Sequence, residues 1–222
     1  MTKDHHPTLD WRNDVIPIAA RFDDPYFSLD NGLAETQFVF LQGNNLPERF
    51  SDGFHVAELG FGTGLNLLTT LASWRQSGIL GRLKFTSFEA FPMQHADMLR
   101  ALAAFPELGD IVSELGPLLH QQSIDLHDLE FRLITGDARD TLTLWDEVAD
   151  AWFLDGFSPA KNPELWEAKL LNDVGRHTAP SGTFATYTAA GFIRQNLTDA
   201  GFDVERVKGF GRKRHMTIGR MP

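Results

Sequence analysis

The chain has 222 residues, of which 42% are apolar and 23% charged, and it contains no cysteine. That length supports one sizeable core without staples, and the composition excludes wholesale disorder, a disulfide scaffold, a thiolate metal site and a cysteine nucleophile. A net charge of −10 argues against a broadly basic nucleic-acid binder, yet residues 206–222 hold six Lys or Arg and no acid, so an acidic body carries a basic strip that can meet a polyanion at one edge.

No apolar run approaches the roughly 20 residues of a membrane span, and the N-terminus lacks the apolar centre of a signal peptide. We therefore expect a cytoplasmic protein that makes no membrane contact. Residues 1–50 read as an N-terminal extension packed on a main domain over 51–222. Asp23-Asp24-Pro25 and Asn31-Gly32 mark turns there, and Tyr26-Phe27 and Phe38-Val39-Phe40 are too apolar for a free tail.

From residue 54 the pattern alternates between two periods. Residues 54–59 predict a strand, and residues 65–75, with Leu67, Leu68, Leu71 and Trp74 on one face, a helix. A second strand follows over 83–89, helices over 93–104 and 107–121, a third strand over 131–134 and a fourth over 151–155. Asn162-Pro163 opens a helix running to about residue 176, with Asn162 as cap and Pro163 in the first turn. Strands at 182–187, 202–208 and 214–219, with a helix over 190–200, complete the reading. The expected fold is α/β and Rossmann-like: a mainly parallel seven-stranded sheet whose last strand is antiparallel, plus the N-terminal extension.

Glu58-Leu59-Gly60-Phe61-Gly62-Thr63-Gly64 joins the first strand to the first helix. Glycines there permit a sharp turn and close approach to a ligand, although a tight turn alone would use them equally. Read singly, Glu89 is a solvated strand-end charge, and Asp137, in Gly136-Asp137-Ala138, fits a turn former and a ligand contact equally. Together at three successive strand ends they fit a nucleoside pocket better, with Glu89 accepting from ribose hydroxyls and Asp137 from an adenine amine. The spacing is not the dinucleotide G-x-G-x-x-G. Glu58 beside the loop suits the cationic amino and sulfonium groups of S-adenosylmethionine rather than a pyrophosphate. An antiparallel seventh strand likewise belongs to class I methyltransferases.

Asp155-Gly156-Phe157-Ser158-Pro159 follows the fourth strand, on the edge facing the reacting end of such a cofactor. Methyl transfer is an in-line displacement in which positioning dominates. Asp155 can hold an amine N–H and aim its lone pair, or act only as a turn acid. Phe157 can stack on a planar base, or only pack. The strip Lys208, Arg212, Lys213 and Arg214 can hold phosphates, or serve solubility alone. Gly-x-Ser-x-Gly is absent and the histidines offer no ligand spacing, so neither a serine hydrolase nor a metal cofactor is expected.

Phe22-Asp23-Asp24-x-Tyr26-Phe27-Ser28, Asp30-Asn31-Gly32-Leu33-x-Glu35-Thr36, Gly60-Phe61-Gly62-Thr63-Gly64-Leu65-Asn66, Trp152-Phe153-Leu154-Asp155-Gly156-Phe157-x-Pro159-Ala160-Lys161-Asn162-Pro163 and Lys208-Gly209-Phe210-Gly211-Arg212-Lys213-Arg214 together resemble the MnmC methyltransferase domain, also found alone as the MnmD family. The resemblance spans about residues 20–220. It implies S-adenosylmethionine-dependent methylation of the 5-aminomethyl group on the wobble uridine of tRNA, giving 5-methylaminomethyl(-2-thio)uridine. It also implies that the cofactor is held by the loop residues Gly60, Phe61, Gly62, Gly64 and Asn66 with Glu89 and Asp137, and that Asp155 takes the amine. One departure is His215, which stands where the family pattern carries an acid. In the two-domain form an FAD-dependent oxidoreductase supplies the aminomethyl substrate. Nothing after Arg220 supplies it here, so no FAD is expected in this chain, which reads as a stand-alone enzyme or the N-terminal half of a fusion. The alternatives are a class I methyltransferase acting on a small-molecule or protein amine, and a non-enzymatic nucleoside- or tRNA-binding module.

Overall fold

The structure is a computed structural model and describes residues 6–28 and 31–222. Met1–His5, read above as lacking a signal-peptide centre, and Asp30 of the second motif lie outside the described residues. β1 (Leu9–Arg12), β2 (Ile16–Ala19) and β3 (Asp24–Pro25) form a small antiparallel sheet. Its first turn places Asn13 and Asp14 in the left-handed region, at φ 51° and 62°, which these two residue types tolerate best after glycine.

α1 (Gly32–Thr36) starts where the Asn31 side chain accepts from Ala34 N at 2.9 Å. The chain continues through a π turn over 37–41 and a 3-10 turn over 42–44, burying Val39, Phe40 and Leu41. Phe40 stacks on Phe153 at 5.3 Å, and Asn44 Nδ2 donates to Trp152 O at 3.3 Å. These contacts seat the extension on one face of the main sheet.

The main sheet begins at β4 (His55–Leu59), followed by α2 (Leu65–Ser77), β5 (Leu83–Glu89), α3 (His95–Leu102) and α4 (Gly109–Leu115). Next come β6 (Ser123–Asp125), β7 (Leu129–Thr135), α5 (Ala138–Thr141) and β8 (Ala149–Leu154). α6 (Ala168–Arg176), β9 (Thr178–Thr186), α7 (Gly191–Asp199), β10 (Asp203–Lys208) and β11 (His215–Arg220) complete it. The order across the sheet is β10-β11-β9-β8-β4-β5-β7-β6. β9, β8, β4, β5 and β7 are mutually parallel, and β11 runs antiparallel between β9 and β10. The expected α/β Rossmann-like arrangement is therefore present, with an eighth strand. β6 adds three residues antiparallel to β7 at the edge, a segment too short for any period to register.

Central strands are buried on both faces, as a parallel sheet under helices requires. On one face Val56, Phe85, Phe131 and Phe153 pack against Leu67, Leu68, Leu71 and Trp74 of α2. On the other, Leu59, Phe88, Trp152 and Phe184 meet Leu170, Leu171, Ile193 and Leu197. Among the described residues no helix is long and apolar enough to cross a membrane.

Two predicted helices come out differently. Residues 107–121 break into α4 flanked by 3-10 turns, one ending before Gly109 and the other spanning Gly116-Pro117. At 162–176, Asn162 makes no cap; Pro163–Trp166 is a 3-10 turn, Glu167 is extended, and α6 follows. The break has a cause: the buried Trp166 indole donates to Phe157 O at 3.0 Å and ties this turn to the loop after β8.

Candidate active site

Three backbone hydrogen bonds carry the ladder one residue past the strand ends. Gly60 N donates to Phe88 O (2.9 Å), Asp155 N to Leu59 O (3.1 Å) and Gly136 N to Glu89 O (2.9 Å). They set the loops after β4, β8 and β7 side by side on the carboxyl edge, where a cavity of about 860 Å³ opens. This is the size of a small-molecule pocket and the position expected of one in such a sheet.

The glycine loop forms one wall. Gly60 has φ 92°, and a Cβ on it would collide with the Asp155 carbonyl oxygen, so the two loops can touch only with glycine there. Gly60→Ala is expected to cost about 2–5 kcal/mol through left-handed strain and overpacking, read from urea unfolding; a loss below 1 kcal/mol would show that the loops separate freely. Gly62 turns its backbone N–H to Glu89 Oε2 (3.1 Å), and Phe61 also borders the cavity. Gly64 does not: it caps α2 at the end of the loop and faces Phe61 and Leu119.

Glu89 also accepts from Phe91 N at 2.8 Å. Burial pushes its carboxyl up, and the backbone donors oppose that shift. Each oxygen thus holds one backbone N–H, Oε2 that of Gly62 and Oε1 that of Phe91. Asp137 borders the cavity too, but it caps α5 and is forked by Arg139, whose Nη2 lies 2.6 Å from Oδ2. The guanidinium holds its carboxyl below the usual range. Arg139 is thus a partner that any adenine amine would share.

Glu58, expected from sequence beside the ligand, has a carboxyl that is fully enclosed and does not border the cavity. Ser87 Oγ donates to Oε2 at 2.6 Å and Asn66 Nδ2 to Oε1 at 2.8 Å. Burial raises it well above the usual carboxylate range. Glu58 reaches the cavity only through Asn66, which lines it. The second Asn66 amide hydrogen goes to Asp155 Oδ2 at 2.7 Å, and Asn66 Oδ1 accepts from Thr36 Oγ1 at 2.9 Å. With both Nδ2 hydrogens on carboxyls, Oδ1 is left for the Thr36 hydroxyl.

Asp155 stands half-buried at the end of β8. Its carboxyl is pushed up to about 7, chiefly by burial and further by the Glu35 charge; the Asn66 hydrogen bond and Lys213 pull it down. Phe157 borders the cavity but stacks on Phe22 (4.7 Å, 27°) and meets Tyr26 edge-on (5.1 Å, 79°), so one ring face is already taken. The basic strip divides. Arg212 and Lys213 border the cavity, whereas Lys208 and Arg214 are exposed beyond it. Lys161 is tied to Asp23 and Asp24.

The structure adds groups to which no role was assigned from sequence. Glu35 and Thr36 arrive from α1, and Tyr187 follows β9 with its hydroxyl donating to Gly156 O at 2.7 Å. Tyr187 was within reach of the strand-end rule that picked out Glu89 and Asp155. Glu35 and Thr36 stand inside the motif of residues 30–36, but no period places them at the sheet edge.

A family model described as S-adenosyl-L-methionine-dependent methyltransferase matches residues 110–222. The bifunctional protein MnmC of Aeromonas hydrophila, named for tRNA 5-methylaminomethyl-2-thiouridine biosynthesis, is 44% identical over 97% of this chain. The chain spans 35% of that protein's length. MnmC2 from Aquifex aeolicus is similar in structure, with a TM-score of 0.78 and 25% identity, covering 100% of this chain and 73% of that one. A precorrin-6y C5,15-methyltransferase from Geobacter metallireducens shares the fold at a TM-score of 0.53 and 15% identity, over 97% of this chain and 100% of the other.

Proposed function

Because the chain belongs to the S-adenosyl-L-methionine-dependent methyltransferase family, we propose that it methylates the 5-aminomethyl group of the wobble uridine in tRNA, giving 5-methylaminomethyl(-2-thio)uridine. The observation that carries this reading is the half-buried Asp155, its carboxyl pushed up to about 7, in the same cavity as the glycine loop and Glu89.

The lining fits the cofactor. Asp24, Glu35, Glu89, Asp137, Asp155 and Glu164 outnumber Arg21, Arg139, Arg212 and Lys213, a balance that suits an ammonium and a sulfonium better than a pyrophosphate. When bound, the cofactor supplies a methyl group on a sulfonium that leaves as a neutral thioether. Glu89 accepts from the ribose hydroxyls, and Gly60, Phe61 and Gly62 form the wall beside it. Asn66 orients Asp155, with Glu58 and Thr36 holding Asn66 in turn. An alkyl amine arrives protonated, because its pKa lies near that of lysine, about 10. Asp155 receives the N–H, takes the proton and leaves the lone pair facing the methyl. A carboxylate near 7 is a better proton acceptor than an ordinary aspartate near 4.

A wobble base in a single-stranded loop enters such a pocket at less cost than a paired base. Arg212 and Lys213 border the mouth of the cavity, where phosphates flanking the base would pass. Reversing both charges is expected to weaken tRNA binding at least tenfold and to flatten its salt dependence, followed by filter binding between 50 and 200 mM salt. An unchanged slope removes them from the interface. The aminomethyl substrate itself is supplied by an FAD-dependent oxidoreductase, as a fused or separate partner.

The deciding experiment is methyl transfer to tRNA bearing 5-aminomethyluridine, with nucleoside mass analysis. One added methyl at the wobble base supports the reading. Cofactor binding with no tRNA product transfers it to a small-molecule or protein amine.

A further inference from the structure

Lys213 is oddly placed for a phosphate contact. Its side chain turns inward from the β10–β11 connection, and Nζ lies 2.8 Å from Glu35 Oε1 and 4.3 Å from the centre of the Tyr187 ring. Glu35 is 15% exposed, so its charge has little water to answer it. The Tyr187 hydroxyl is already spent on Gly156 O, which presents the ring face rather than the phenol to the ammonium. Asp24 and Asp155 border the same cavity as Glu35, Tyr187 and Lys213. A carboxylate and an aromatic face around one nitrogen, opening toward a second carboxylate, is the chemistry that recognises an alkylammonium. All of these side chains border the cavity of the glycine loop.

We propose that Lys213 is a placeholder: Glu35 and the Tyr187 face form the cage for the acceptor's ammonium, and in the free protein the chain's own lysine fills it. The inference rests on the reading of the acceptor as an amine, and it names the residues that recognise it. Substrate entry is then an exchange of one ammonium for another, so Glu35 is never left buried without a counter-charge. The displaced lysine emerges at the mouth beside Arg212, where a phosphate can receive it. A small free amine must evict Lys213 with nothing to offer it, whereas an amine carried on RNA brings a phosphate along. The cage thereby selects amines borne on a polyanion.

The chain has two tyrosines, Tyr26 and Tyr187, so ¹³C-tyrosine labelling gives two sets of ring signals, assigned with Tyr26→Phe. Propylammonium chloride is titrated against a sodium chloride control. In Lys213→Ala the Tyr187 signal is expected to shift saturably, with a midpoint at least tenfold lower than in the wild type. Adding Glu35→Gln to that variant should abolish the shift. Lys213→Met, which keeps the apolar stem, repeats the measurement should the alanine disturb the loop. Equal midpoints in wild type and both Lys213 variants, or no saturable shift in any, would overturn the placeholder. Methyl transfer to tRNA is scored separately: a caged ammonium without methylated tRNA retires the tRNA reading alone, and methylated tRNA without a caged ammonium retires the placeholder alone.

Discussion

Asp155→Asn is expected to lower kcat for methyl transfer by about 10²–10⁴, the usual worth of a positioned proton acceptor, while cofactor affinity changes by less than about threefold. The amide keeps the shape and can still accept from Asn66 Nδ2, so the loss isolates the carboxylate's proton chemistry from its packing. In the wild type, kcat/KM should rise with pH up to about 7 and then level as Asp155 loses its proton; the variant should lack that limb. Stability should move the other way. The folded-state value of about 7 lies above the ordinary 3.8, so the folded form holds this proton more tightly than the unfolded chain. That contribution is present in full below pH 3.8 and is lost as pH rises through about 7. At pH 8 the asparagine variant should therefore melt above the wild type, by about 2–4 °C per kcal/mol of relieved burial. A variant that keeps kcat within tenfold would remove Asp155 as the proton acceptor.

Asn66→Ala is expected to damage stability and turnover together. It strips a hydrogen bond from Thr36, Glu58 and Asp155 at once, two of them at fully or nearly fully buried side chains. Leaving such groups unpaired costs about 2–4 kcal/mol, with kcat falling more than KM rises, because the displaced carboxyl belongs to the reacting end of the cavity. Asn66→Asp should be no milder despite its shape, since three neighbouring carboxyls cannot all ionise. Pairing Asn66→Ala with Glu58→Ala in a double-mutant cycle should show coupling of about 0.5–3 kcal/mol in unfolding free energy. Strict additivity would mean that the two side chains act independently.

Much of the sheet was legible because its central strands are apolar runs closed by turn residues. Residues 83–89 were bounded correctly from alternation alone. Glu89 and Asp155 stood out by being polar where such runs end. Other parts escaped for definable reasons. A π turn follows neither a period of 3.6 nor one of 2, so the path of 37–44 under the sheet could not be read. Glu58 carried the right charge at the right loop, but whether a strand-end side chain points into a cavity or beneath it depends on the alternation of faces. The neighbouring β5 supplied Ser87 to hold it beneath. The basic strip was visible as composition, while its division into rim and remote residues follows from the β10–β11 connection, which sets Arg212 and Lys213 on the border of the cavity.

The contact between Lys213 and Glu35 closes 178 residues of sequence, and Ser158 N to Asp24 closes 134. Such separations make folding slow, because loop-closure entropy is spent before the contacts form. During synthesis the glycine loop and Glu89 emerge early, yet the acceptor side stays open until residue 213 has left the ribosome. A chain interrupted before the final hairpin would hold the parts for cofactor contact without the cage that screens acceptors. Emergence of the β10–β11 hairpin is therefore also the step that makes the site selective.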